Sequence, residues 1–141
     1  MDLKNCNVML DAGAYLPERA FDSDAGADLR TPREIVVPPH GNATVDTGVH
    51  VQIPEGYVGM IKTKSGINLK KDITTEGVID AGYTGCIIVK LYNHGNNTQI
   101  FKAGDKITQL VIEPIATPGF TLVEEFEETE RGNNGFGSTG V

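Results

Sequence analysis

The sequence predicts an all-β fold, a closed barrel or jelly roll, carrying one short helix and a flexible C-terminal arm. Three observations lead there. Short apolar stretches recur with a period of two, as strands with one buried face require. Glycine and proline punctuate them, 17 and 7 times in 141 residues, which favours turns over long helices. The chain then closes on "RGNNGFGSTGV", a composition unable to bury enough apolar surface to offset its ordering entropy.

The elements follow in order. "EIVV" reads as a short strand stopped by Pro38, Pro39 and Gly41. "ATVDTGVHVQI" is the clearest strand: Val45, Thr47, Val49, Val51 and Ile53 form a face to be buried, and Thr44, Asp46, Gly48, His50 and Gln52 a polar one. "PEGYVGMIKT" reads as a turn followed by a strand. "KSGINLKKDI" breaks the period, with Ile67, Leu69 and Ile73 among polar residues and Ser65 at an N-cap position. A two-turn helix is expected there. The N–H groups of Ser65 and Gly66, with Lys62 and Lys64 beside them, would suit an anion; a solvated basic turn accounts for the same residues equally well. "GVIDAGYTG" predicts a strand ending at a partly buried Asp80, then a tight hairpin in which Gly82 and Gly85 flank Tyr83. "GCIIVKLYN" is apolar on both faces until Lys90 and reads as a central strand. "TQIFKAGDKITQLVIEPI" predicts a hairpin turning at "KAGDK". The acidic "VEEFEETE" reads as a solvated linker. Residues 1–126 are therefore assigned to the β-domain and 127–141 to the arm.

At this length the chain is one domain with a single core. A net charge of −7 argues against a non-specific nucleic-acid binder, which needs positive charge along the phosphate track. A local basic pocket for one small anion is compatible with that total. No apolar run approaches membrane-spanning length and the N-terminus has no long apolar region, so a cytoplasmic protein without membrane contact is expected. Cys6 and Cys86 match neither zinc spacing nor a disulfide framework, and read as ordinary reduced thiols, Cys86 buried in a strand. His40, His50 and His94 show no metal-ligand spacing and are assigned to solvent; no Cys/His or Ser/His/Asp arrangement is indicated.

Several residues ask for a reason. Asp28, among small residues in "SDAGADLRT", fits turn chemistry. A partly desolvated Asp80 must be satisfied or used; capping a hairpin would satisfy it. Gln109 shares a face with Ile107 and Val111, which suits a polar cavity or an interface. Arg131 and Phe136 have no place in a plain linker.

Taken in order, "AGADL", "KSGINL", "GVIDAGYTG", "GDKITQL" and "RGNNGFGSTG" closely resemble the five ordered motifs of the homotrimeric dUTP pyrophosphatases (dUTPases), from about Asp24 to the chain's end. The resemblance implies a jelly-roll-like distorted β-barrel, a homotrimer with active sites between subunits, and Mg²⁺-dependent hydrolysis of dUTP to dUMP and pyrophosphate. It implies Asp80 as the base that aims a water at the α-phosphate, and Tyr83 as the ring that packs on deoxyribose and excludes a 2′-hydroxyl. The backbone of Gly77, Val78 and Ile79 would bond uracil. Ser65 and Gly66 would bind phosphate, with Lys64 offsetting its charge, and Gln109 would reach a phosphate oxygen. Asp28 would act on the metal through its waters. Arg131, Phe136, Gly137, Ser138 and Thr139 would belong to a lid closing over the site, with Phe136 stacked on uracil and Arg131 on the γ-phosphate. Some family members also serve as regulatory protein partners, a role on which the sequence is silent.

One departure stands out. Most members place an arginine preceded by proline where this chain reads Thr63-Lys64-Ser65, and lysine lacks the bidentate fork. Two rivals compete with a dUTPase. A dCTP deaminase shares the fold and several motifs but carries a glutamate base where this chain has Lys90. A non-catalytic jelly-roll binding module would have no use for Asp80 or the tail.

Overall fold

The computed structural model describes residues 3–137. Ten strands and one helix follow the punctuation of the sequence: β1 (Asn7–Leu10), β2 (Gly26–Arg30), β3 (Ile35–Val37), β4 (Asn42–Gln52), β5 (Tyr57–Lys62), α1 (Ser65–Lys71), β6 (Ile73–Thr74), β7 (Gly77–Ile79), β8 (Cys86–Asn93), β9 (Gln99–Phe101) and β10 (Lys106–Pro114). Two four-stranded sheets, ordered β1-β4-β8-β6 and β2-β10-β5-β7, are joined by a two-stranded β3-β9 ribbon. Every described ladder between these strands is antiparallel. The fold is jelly-roll-like, and the ladders do not join into one closed barrel.

The alternation of β4 is realised as expected. Val45, Thr47, Val49, Val51 and Ile53 are all buried. They meet Ile87, Val89 and Leu91 of β8 and, from the other sheet, Leu29, Ile61, Ile79 and Leu110 in a single core that Phe101 and Ile107 complete. Each such side chain contributes about 1.5–3 kcal/mol on full burial. Thr47 is tolerated at zero exposure because its hydroxyl donates to the Ile87 carbonyl at 2.6 Å.

Four expectations are corrected. The "KAGDK" turn does not close a hairpin: β9 pairs with β3, and β10 with β2 and β5. The turn therefore carries the chain between sheets, because both edges of β10 are taken by β2 and β5. The Asp80–Gly85 segment likewise links β7 in one sheet to β8 in the other, so it is a connection and not a hairpin. β8 is interior to its ladder, yet only one of its faces is buried: Ile88 and Tyr92 are exposed. Finally, the helix forms where expected, but its N-cap is Lys64, with no side-chain capping bond, and Ser65 is its first residue.

The last strand ends at Pro114. Ile115 still anchors its N–H on the Gly56 carbonyl at 2.9 Å. Beyond it, residues 115–137 form no strand and lie exposed, the arm residues among them. Ser138 and Thr139 lie outside the described residues. Among the described residues no helix is long and apolar enough to cross a membrane.

Candidate active site

The residues singled out in the sequence fall into three groups. The first gathers at one end of the β2-β10-β5-β7 sheet. Register sets Gln109 of β10 opposite both Asp28 of β2 and Lys62 of β5, so cross-strand neighbours place them side by side. Asp28 is a buried strand residue and not a turn residue. One of its carboxylate oxygens accepts from Lys64, which immediately precedes α1, and the other from Lys106 at 3.1 Å. Burial pushes the Asp28 carboxyl upward, but the hydrogen bonds and charges of the two lysines outweigh it and hold the group below its ordinary value.

Gln109 is half-buried and its amide is satisfied, Nε2 donating to the Thr63 carbonyl at 3.0 Å. Gly26 makes room for it, since a Cβ there would stand 2.0 Å from Gln109 Oε1. Thr63 also pins the start of β7, its hydroxyl donating to the Thr75 carbonyl and accepting from the Thr75 N–H, both at 3.0 Å. Ser65 and Gly66 are exposed at the start of α1, and a Cβ on Gly66 would meet open space. This end thus gathers two ammonium groups, both bonded to Asp28, an amide bonded to Thr63, and the exposed start of α1.

The second group is β7 and the turn after it. β7 is an edge strand: β5 pairs with one side, and no described strand covers the other. The opposite edge of the sheet, β2, is closed at Asp28 by Glu18, whose N–H and carbonyl bond its backbone at 3.3 and 2.7 Å. The β7 edge leads directly into Asp80, which is exposed and not partly buried as the sequence reading held. The turn is held by Tyr83 N–H to the Asp80 carbonyl at 3.1 Å and Gly82 N–H to the Ile53 carbonyl at 3.2 Å, with Gly82 at φ +84°. Such a φ favours glycine. The Tyr83 ring folds back so that its hydroxyl donates to the Cys86 carbonyl at 2.8 Å. Gly85 permits this, because a Cβ there would sit 2.5 Å from the hydroxyl.

The third group is the arm. Arg131 bonds within it, Nε to the Asn134 carbonyl at 3.0 Å, and Phe136 is fully exposed.

Among the described residues no side-chain hydrogen bond or ion pair joins Lys64 or Gln109 to Asp80, Tyr83, Arg131 or Phe136. The Lys64 end of β5 lies opposite Gly77, through Ile61. Asp80 is three positions further along, about 10 Å at strand rise. Within a single chain the lysine-rich end, the uncovered edge with its carboxylate, and the arm stay apart.

The dUTPase family model matches residues 13–140, a span that includes every site residue named above. The chain belongs to the dUTPase family. A deoxyuridine 5'-triphosphate nucleotidohydrolase of Oryza sativa subsp. japonica is 44% identical over 133 residues, covering 94% of this chain and 78% of that protein. A relative from Schizosaccharomyces pombe, a probable enzyme of the same name, is 43% identical and covers 94% and 95%. The structure of Staphylococcus bacteriophage 80alpha dUTPase with dUPNHPP matches at TM-score 0.92 and 35% identity, covering 99% of this chain and 100% of that one. A dUTPase mutant from phage phi11 of S. aureus, described with a structural Mg(II) ion, matches at TM-score 0.81 and 34% identity, over 88% and 99%.

Residues that the sequence reading passed over also matter to this dUTPase fold. Lys106 shares Asp28, and Thr63 and Gly26 set the position of Gln109. Lys106 had a signal in "GDKITQL"; the other two acquire their roles only through cross-strand packing. Lys62 is paired with Glu76 at 3.4 Å. Lys90, where a deaminase would carry its base, extends over the Tyr92 ring at 5.7 Å.

Proposed function

We propose that this chain hydrolyses dUTP to dUMP and pyrophosphate, and that three copies complete each active site between them. The observation that carries the reading is the uncovered edge of β7 running straight into Asp80 and Tyr83. An edge strand offers N–H and C=O groups in the pattern of a missing neighbour, and uracil can take that place against Gly77, Val78 and Ile79. A base held there brings the sugar to Tyr83 and the α-phosphate to Asp80.

Asp80 then orients a water and takes its proton as the water oxygen bonds to the α-phosphorus. The bond from that phosphorus to the bridging oxygen breaks, and pyrophosphate leaves. Lys64, Ser65, Gly66 and Gln109 of another copy would hold the phosphates. The separation of the two groups within one chain supports such sharing. Arg131, Phe136 and Gly137, followed by Ser138 and Thr139, would close the site from an arm, Phe136 stacking on uracil for about 1–3 kcal/mol. Catalysis is positional and electrostatic.

The donor set bears on Mg²⁺. Both Asp28 oxygens already accept from ammonium groups, so Asp28 fits contact with the ion through waters and not direct ligation. Triphosphate oxygens would supply the ligands. When bound, the ion would offset charge on the triphosphate.

A panel of dUTP, dTTP, dCTP and UTP, assayed for pyrophosphate and ammonia with and without Mg²⁺, tests the proposal. Pyrophosphate release from dUTP is expected; ammonia from dCTP, or no turnover of dUTP, overturns it. The molecular mass in solution tests the trimer.

A further inference from the structure

On the β1-β4-β8-β6 sheet a cluster of metal-ligating groups has been assembled by a bulge. The step from Asp46 to His50 spans four residues of β4, whereas the facing step from Ile88 to Cys86 spans two of β8. The surplus arches at Gly48, which adopts φ +68°. A Cβ there would stand 2.7 Å from the Ala14 side chain. The arch brings both Asp46 and His50 to Cys86, and it recruits Asp11, whose N–H bonds the Gly48 carbonyl at 2.8 Å.

The contacts within the cluster are short. His50 Nε2 lies 2.9 Å from Asp11 Oδ1. Cys86 Sγ lies 2.7 Å from Asp46 Oδ1 and 3.5 Å from Asp11 Oδ2. One ligand atom each from Asp11, His50 and Cys86 falls within 4.8 Å of the others. Tetrahedral zinc at its usual bond lengths needs ligand atoms about 3.3–3.8 Å apart, so the set requires only rotamer-scale closure. An outer shell is also in place: His50 Nδ1 bonds the Thr84 carbonyl at 2.8 Å, which aims Nε2 at the cluster, as metal-bound histidines are ordinarily held. A groove of about 540 Å³, lined by Leu10, Asp11, His50 and Thr84 among others, reaches it from solvent.

We propose that Asp11, His50 and Cys86 bind a zinc-type divalent cation at a site separate from that of Mg²⁺, with Asp46 as the adjoining carboxylate. Imidazole and thiolate select zinc-like ions over magnesium.

Binding through a thiolate and a neutral imidazole nitrogen releases protons.

The test is titration of the metal-free full-length protein with Zn²⁺ and, for its spectrum, Co²⁺. Expected are one ion per chain, proton release, and a thiolate-to-cobalt charge-transfer band. Cys86→Ser should abolish the band and weaken Zn²⁺ binding by more than about 100-fold, beyond what outer-shell changes cost. His50→Gln should weaken it similarly, and Cys6→Ser should change neither. Retained dUTP hydrolysis in Mg²⁺ verifies that each variant is folded. Absence of stoichiometric binding, a band that survives Cys86→Ser, or displacement of Zn²⁺ by equimolar Mg²⁺ overturns the proposal.

Discussion

Lys64, the residue before α1, bonds its ammonium to the buried Asp28 carboxylate, whose other oxygen takes Lys106 at 3.1 Å. The family's usual arginine could reach phosphate through its own fork; here the lysine is oriented by a partner on another strand. The Asp28–Lys64 pair couples stability to the proposed phosphate site.

Asp28→Asn should therefore damage both. Breaking a fully buried pair costs about 3–5 kcal/mol; a loss nearer 2 kcal/mol is expected here, because both lysines can turn to water. Denaturant midpoints measure it, and KM for dUTP should rise as Lys64 loses its anchor. The pH dependence has a definite sign. The folded carboxyl titrates below its ordinary value of 3.8, so its contribution is present above that value and is lost as pH falls through the lower, folded one. The variant should flatten that acid limb.

Asp80→Asn should leave the fold intact, since Asp80 is exposed and ends an edge strand. Turnover of dUTP should fall by at least about 10²–10⁴, the usual share of a positioned base. Unchanged turnover with unchanged melting would remove Asp80 from the chemistry.

Tyr83→Ala should raise UTP hydrolysis relative to dUTP, by opening the space a 2′-hydroxyl needs. It also deletes the 2.8 Å bond to the Cys86 carbonyl, worth about 0.5–1.5 kcal/mol, so a small fall in melting temperature should accompany it. The ratio of kcat/KM for the two nucleotides is the deciding measurement.

Truncation before Arg131 should leave melting unchanged, because the removed residues that are described are exposed and bond only among themselves and Thr129. Activity should fall by about 10³, the lower end of what an arginine supplied in trans contributes to phosphoryl transfer. A fully active truncation would refute the lid.

Gly26→Ala separates position from chemistry. The new Cβ would collide with Gln109 Oε1 and displace the amide without altering any charged group. KM should rise several-fold while kcat at saturation changes little, as the loss of uniform binding predicts.

Much of this was written locally in the chain. Val45 to Ile53 alternate because a sheet with one face on a core demands it, and all five proved buried. The five motifs identify the family, because they are short ordered runs that can be read without the fold. What no local pattern contains is partnership across strands. β9 chooses β3 over β10, and Asp28 becomes a buried anchor for two lysines 36 and 78 positions away. Cys86, read as an ordinary thiol, and His50, assigned to solvent, meet Asp11 and Asp46 through a bulge. These outcomes depend on which edges remain free and which faces the core has already taken, and those are settled only when the sheets pack.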